Sequence, residues 1–123
     1  MRTVIQNQNF STHQNGFDID SALVLDSTFS SCNIEGANLT DAVFVRCQFT
    51  SVSLYWGQMF RTLFLECSFT GVDFRGANME QCAFAHCTLS RCDFSRDNLG
   101  GKTDISEVSF TDTKQIDCKY DAA

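Results

Sequence analysis

Residues 67–81 read CSFTG VDFRG ANMEQ: three five-residue units, each with a small residue first, a Phe or Met third, and polar or small residues in the remaining places. A period of five fits neither the 3.6-residue turn of an α-helix nor the two-residue alternation of a flat strand, so the chain must change direction by a fixed angle once per unit. Outward from this stretch, the third position recurs without interruption as Ile19, Val24, Phe29, Ile34, Leu39, Phe44, Phe49, Leu54, Met59, Phe64, Phe69, Phe74, Met79, Phe84, Leu89, Phe94 and Leu99. All 17 are apolar in a chain that is 43% hydrophobic, which chance would give with a frequency of roughly 10⁻⁶. Two places earlier stands a compact residue: Ala22, Ser27, Cys32, Ala37, Ala42, Cys47, Val52, Gly57, Thr62, Cys67, Val72, Ala77, Cys82, Cys87 and Cys92. Both positions are therefore expected to face inward, with Asn, Asp, Ser, Thr and Gly between them at turns and in solvent.

Composition narrows the function classes. The chain has 123 residues, a length for one domain. Nine Lys and Arg stand against 15 Asp and Glu, a net charge of −6 and the wrong sign for gripping a phosphate backbone, so direct nucleic-acid binding is not expected. Twelve Phe and no Pro supply a core reservoir rather than a disordered tail. No run of 18 apolar residues occurs and the opening MRTVIQNQNF has no apolar signal core, so neither membrane spanning nor export is expected and the cytoplasm is the default location.

The units CNIEG, ANLTD, CSFTG, VDFRG, ANMEQ and CDFSR, starting at Cys32, Ala37, Cys67, Val72, Ala77 and Cys92, resemble the pentapeptide repeat family, whose pattern is a small residue, Asp or Asn, Leu or Phe, and two polar residues. The pattern runs over 17 units from Phe17 to Gly101. After one extra residue, Lys102, it continues as TDISE, VSFTD, TKQID and CKYDA, with Ile105, Phe110 and Tyr120 in the large position and Gln115 as the exception. The resemblance implies an all-β fold, a right-handed quadrilateral parallel β-helix with four units per coil and about five coils, encoded by a phage or a bacterium. Residues 1–16 break the pattern and are expected to form an N-terminal cap; residues 17–122 form the β-helix, with its register shift at Lys102.

Four units per coil place residues 20 apart on one side of the rod, so outward chemistry can be sorted by side. The side through Ile19, Leu39, Met59, Met79 and Leu99 carries Asp18, Asp20, Asp41 and Glu80 against Arg61, with Asp26 and Glu35 nearby. The side through Val24, Phe44, Phe64 and Phe84 is apolar outside as well as inside, because the outward flanks are Leu23 and Leu25, Val43 and Val45, Leu63 and Leu65, then Ala83 and Ala85. Such a patch, on the order of 400 Å², requires a cover, which could be residues 1–16 folded back, a second copy in a homodimer, or a partner protein. A third side carries hydroxyl ladders, and the fourth brings Tyr55 and Trp56, with Phe60 one unit later, to one corner as candidate aromatic anchors.

Six of the seven cysteines (32, 47, 67, 82, 87 and 92) take the small inward position, and Cys118 does so in the shifted register, so they are expected as free core thiols. Five-residue spacing sends neighbouring cysteines to different sides, so no metal site is expected. His13 and His86 lack a nucleophile and an acid at a catalytic spacing, and a narrow packed solenoid has no substrate cavity, so neither enzymatic activity nor a cofactor is expected. Family members that protect DNA gyrase from quinolones are thought to imitate duplex DNA with a negative rod. The resemblance thus implies a DNA mimic whose partner is a DNA-handling protein complex. A compact acidic chain suits a CRISPR-Cas surveillance complex, as anti-CRISPR inhibitors do; DNA gyrase is the alternative target, and an adaptor binding through the apolar side is the alternative function.

Overall fold

The computed structural model describes residues 2–14 and 16–121. In chain order the strands are β1 (Val4–Gln6), β2 (Asn9–Phe10), β3 (Leu23–Leu25), β4 (Thr28–Ser30), β5 (Val43–Val45), β6 (Gln48–Thr50), β7 (Leu63–Leu65), β8 (Ser68–Thr70), β9 (Ala83–Ala85), β10 (Thr88–Ser90), β11 (Ser109–Thr111) and β12 (Lys114–Ile116). Odd-numbered strands form one six-stranded parallel sheet and even-numbered strands another. Leu23 lies beside Val43, Val43 beside Leu63 and Leu63 beside Ala83, so one circuit takes 20 residues, four units of five. The result is a four-sided parallel β-solenoid with four regular coils, 17–36, 37–56, 57–76 and 77–96.

The four sides are not equivalent. The sides holding the two sheets are extended. The other two are linked between coils by single bridges, Asp18 to Asn38 to Gln58 to Asn78 and Asn33 to Ser53 to Asp73 to Asp93. Each of those sides ends in a turn closed by its own hydrogen bond, as from Gly57 N to Leu54 O (2.8 Å) and from Thr62 N to Met59 O (3.3 Å). Nearly all corners of the regular coils use a residue with positive φ, Arg96 being an exception, and among the described residues sixteen that are not glycine adopt it, including Asp41 (60°), Arg61 (57°), Arg46 (54°) and Trp56 (58°). This conformation costs an L-residue roughly 1–2 kcal/mol, so stacking between coils, rather than the preference of each corner residue, holds the corners.

The core explains the choice of large residues. Phe10, Phe29, Phe49 and Phe69 stack with ring centroids 4.5, 4.6 and 4.8 Å apart. Phe44, Phe64, Phe84 and Phe110 form a second stack at 5.0, 5.0 and 5.2 Å. The two columns meet edge to face, as between Phe64 and Phe69 at 5.0 Å and 85°, the geometry that opposes ring edges to ring faces. Compact residues two places earlier also donate hydrogen bonds to the carbonyl of the large residue one coil back. Thr62 Oγ1 donates to Leu39 O (2.7 Å), and the thiols of Cys47, Cys67 and Cys87 lie 3.5, 3.5 and 3.3 Å from the carbonyls of Val24, Phe44 and Phe64. A small side chain with a donor therefore fills the space and satisfies an inward carbonyl at once.

Both ends of the regular rod differ from the sequence reading. The stretch expected as a cap adds a further rung: β1 and β2 join the sheets with partners 19 rather than 20 residues away, Val4 beside Leu23 and Asn9 beside Thr28. Because β1 lengthens the sheet at its edge, the described part of residues 1–16 does not fold back across the apolar side. At the other end, Leu99 is not inward but 83% exposed. Partners jump from 20 to 26 residues apart, with Asn78 beside Asp104 and Ala83 beside Ser109. The shift is therefore not one residue at Lys102 but a six-residue excursion over 97–102, after which Thr103, Val108, Thr113 and Cys118 resume the compact position.

Candidate binding surfaces

The acidic side begins with Asp18, whose Oδ1 accepts the Asp20 amide (3.1 Å), and Asp20, which accepts the Ser21 hydroxyl (2.8 Å). Glu35, on another side, accepts Asn33 Nδ2 (2.8 Å). Two of the six carboxylates singled out in the sequence are neutralised from one coil along. Arg61 holds Asp41 with two bonds (2.8 and 3.0 Å), and Arg46 holds Asp26 likewise (2.7 and 3.2 Å). These forked hydrogen bonds keep both carboxyl groups below their ordinary value. The excursion at 97–102 compensates, for it sets Asp104 beneath Asn78 and, at the adjoining corner, Glu107 beneath Gln81, whose amide it accepts (2.9 Å). Among the described residues Asp18, Asp20, Glu80, Asp104 and Glu107 make no ion pair.

The apolar side is the outer face of the odd-numbered sheet. Leu23, Val43, Leu63 and Ala83 form one outward ladder and Leu25, Val45, Leu65 and Ala85 the other, each partly exposed. Charged corner ladders border both edges. Before the strands run Arg2, Ser21, Asp41, Arg61, Gln81 and Glu107; after them run Asn7, Asp26, Arg46, Glu66, His86 and Asp112.

The aromatic group is divided. Phe60 lies across the width of a side from Trp56, and the Arg61 guanidinium covers its ring at 4.3 Å. Tyr55, only 7% exposed, accepts the Asn98 amide at its hydroxyl (2.7 Å), and Trp56 Nε1 donates to Asp97 Oδ2 (2.8 Å). Asp97 Oδ1 also receives the amides of Leu99 (2.9 Å) and Gly101 (2.7 Å), while Arg75 reaches Asn98 Oδ1 (3.2 Å). Tyr55 and Trp56 thus clamp the 97–102 excursion and present Leu99 at its tip. Sequence reasoning missed this loop because its five residues DNLGG still fit the pattern.

All seven cysteines are free thiols, and six are buried. Burial pushes the Cys92 thiol up to about 12. No group of His, Cys, Asp and Glu among the described residues could hold a metal ion.

Asp26, Asp41, Asp97 and Asp104 all have carboxyl groups held below the ordinary aspartate value of 3.8, Asp97 first by the Trp56 indole N–H and Asp104 by Ser106. Groups lowered in the folded state stabilise it above the unfolded value and lose that contribution as pH falls through the folded one. The melting temperature is therefore expected to fall as pH drops below about 4, less steeply in Asp97→Asn than in the parent; thermal melts between pH 7 and pH 2 check this.

This architecture, a four-sided stack of five-residue units with a phenylalanine-rich axis, defines a class of β-solenoids built from repeats. Residues 27–64 and 66–101 match the model for pentapeptide repeats, in eight copies. The chain belongs to the pentapeptide repeat family. Solved structures of similar fold include the following two. A pentapeptide repeat protein, Rfr23, from the cyanobacterium Cyanothece 51142 shares 7% identity at a TM-score of 0.76, over 96% of this chain and 88% of that one. A trypsin-treated form of QnrB1, a plasmid-mediated fluoroquinolone resistance protein, shares 18% identity at a TM-score of 0.73, over 89% of this chain and 54% of that one. The chain thus spans about half the length of the QnrB1 chain it matches. No curated protein matches it by sequence.

Proposed function

We propose that this chain is a non-catalytic binding protein, acting in the cytoplasm, that occupies the basic DNA-reading groove of a DNA-handling complex in place of duplex DNA. The observation that carries this reading is the set of carboxylates on one side and its adjoining corner, Asp18, Asp20, Glu80, Asp104 and Glu107, none paired with a base among the described residues. From Asp18 to Asp104 are four coil spacings, about 19 Å at 4.8 Å each. A duplex of that length carries about 11 charges, roughly twice what this side offers, and neutral Gln58 and Phe60 separate the carboxylates into two groups. The side therefore imitates two phosphate clusters a short distance apart rather than a continuous backbone. A target that clamps phosphates at two points suits it, and a CRISPR-Cas surveillance complex is the first candidate, with DNA gyrase second.

The test is binding to both purified complexes with duplex DNA as competitor. Wild-type chain is expected to compete with duplex and to weaken as salt rises. Neutralising Asp18, Asp20, Glu80, Asp104 and Glu107 to their amides is expected to weaken binding by at least tenfold. Undiminished binding of the neutralised chain, or simultaneous binding of chain and duplex, would remove the mimicry reading in favour of an adaptor.

A further inference from the structure

We infer that the outer face of the odd-numbered sheet is the contact between two copies of this chain, packed antiparallel about a two-fold axis that runs along the strand direction between β5 and β7. The inference concerns the side next to the one proposed to meet DNA-binding grooves, shares with it Glu107 at their common corner, and does not rest on that proposal. Its basis is a sign reversal along the corners. The leading corner reads Arg2, Ser21, Asp41, Arg61, Gln81, Glu107, that is positive, neutral, negative, positive, neutral, negative. Reversed end to end, the same series has the opposite sign at every charged position. Two copies related by this axis therefore lay the Arg61–Asp41 pair of one copy antiparallel to that of the other, so that each charge held within its chain also meets its opposite across the axis, and set Arg2, whose guanidinium donates to the carbonyls of Ser21 (2.7 Å) and Asp41 (2.9 Å), opposite Glu107; each contact is made twice. On the trailing corner Arg46 meets Glu66 and Asp26 meets His86, leaving Asn7 against Asp112.

Side-chain volume follows the same reversal. Leu23 and Leu25 at one end face Ala83 and Ala85 at the other, while Val43 and Val45 at the centre face Leu63 and Leu65, so large meets small where the ladders differ most. The alternative two-fold, along the rod, pairs Asp41 with Arg46 and Arg61 with Glu66 but forces Glu107 against Asp112, a like-charge contact made twice. Nothing among the described residues covers this face, because β1 extends the sheet instead of crossing it.

Area sets the strength. Four residues at about 3.3 Å and six rungs at about 4.8 Å give a flat face of roughly 380 Å², and with the corner ladders about 1,000 Å² is buried in total, at the weak end of specific interfaces. A weak, reversible dimer is expected from an interface of this size, and it leaves Asp18, Asp20, Glu80 and Asp104 of both copies open while engaging Glu107.

Sedimentation equilibrium from about 1 to 300 μM is expected to show a monomer–dimer equilibrium in this range. Leu25→Asp with Leu63→Asp should abolish the dimer. Glu66→Lys, an exposed corner change that leaves the core untouched and sets a second positive charge against Arg46 of the facing copy, should weaken it at least tenfold. For orientation, Ser21→Cys and Gln81→Cys chains, both carrying Cys118→Ser, should cross-link to each other through a bismaleimide of about 10 Å reach but not each to itself. A monomer throughout the range, a dimer indifferent to Glu66→Lys, or Ser21→Cys joined only to itself would each overturn the inference.

Discussion

Replacing Phe64 by alanine is expected to destabilise the fold by about 4 kcal/mol, more than any change at the surface of the rod. Phe64 is fully buried and touches four other rings: Phe44 and Phe84 stacked at 5.0 Å, Phe69 edge-on at 5.0 Å and Phe49 at 5.9 Å. Neighbouring coils are fixed at the hydrogen-bonding distance of their strands, so they cannot close the void, and the cost stays near the upper part of the range for such deletions. A domain of this size has roughly 6–18 kcal/mol to lose, so the melting temperature should fall by about 10–20 °C. Phe110, at the same place in the last coil but only partly buried, is the control; its replacement by alanine should cost less than half as much. Chemical denaturation followed by circular dichroism measures both. If the two substitutions cost the same, stability does not propagate from coil to coil as the stacked core requires.

Gly76→Ala is expected to release the 97–102 excursion. Gly76 has φ +72°, and a Cβ there would stand 2.5 Å from Trp56 Cδ1 and 3.0 Å from Asp97 Oδ2. The indole must move off, which breaks its bond to Asp97 and, with it, the anchor of Leu99. Left-handed backbone costs alanine about 1 kcal/mol, and the lost hydrogen bond to a carboxylate adds about as much, for a total of about 2 kcal/mol. Trp56 is the only tryptophan of the chain, so its emission should shift to the red and its quenching by iodide should rise. Gly36 occupies the equivalent corner two coils earlier with φ +70° and nothing within 4 Å of an added Cβ. Gly36→Ala should therefore carry only the backbone cost and leave the fluorescence unchanged. An unchanged Trp56 signal in Gly76→Ala would mean that the excursion is held by Tyr55 and Arg75 alone.

The repeat made the regular part of the rod legible. Each inward position from Val24 to Phe94 follows from a period of five, because a solenoid has no long-range choice to make: every unit meets the unit four steps away. The outward apolar ladders were visible for the same reason. Ile5 and Phe10 carried a signal for the additional rung, since they keep the spacing of five but one place out of phase with Ile19. The neutralisation of Asp26 and Asp41 could also have been anticipated, because Arg46 and Arg61 stand one full circuit later.

What the sequence determined by itself is the five-residue step, the identity of the buried column and the four-sided circuit, all consequences of side-chain size at fixed intervals. What only the tertiary structure decided is where the circuit is broken. An insertion of one residue and an insertion of six shift a five-residue pattern by the same amount, so periodicity cannot distinguish them. The choice was made by hydrogen bonds between residues 41 and 43 positions apart, from Trp56 to Asp97 and from Asn98 to Tyr55, which fold a whole unit out of the wall and bring Asp104 and Glu107 onto the acidic side.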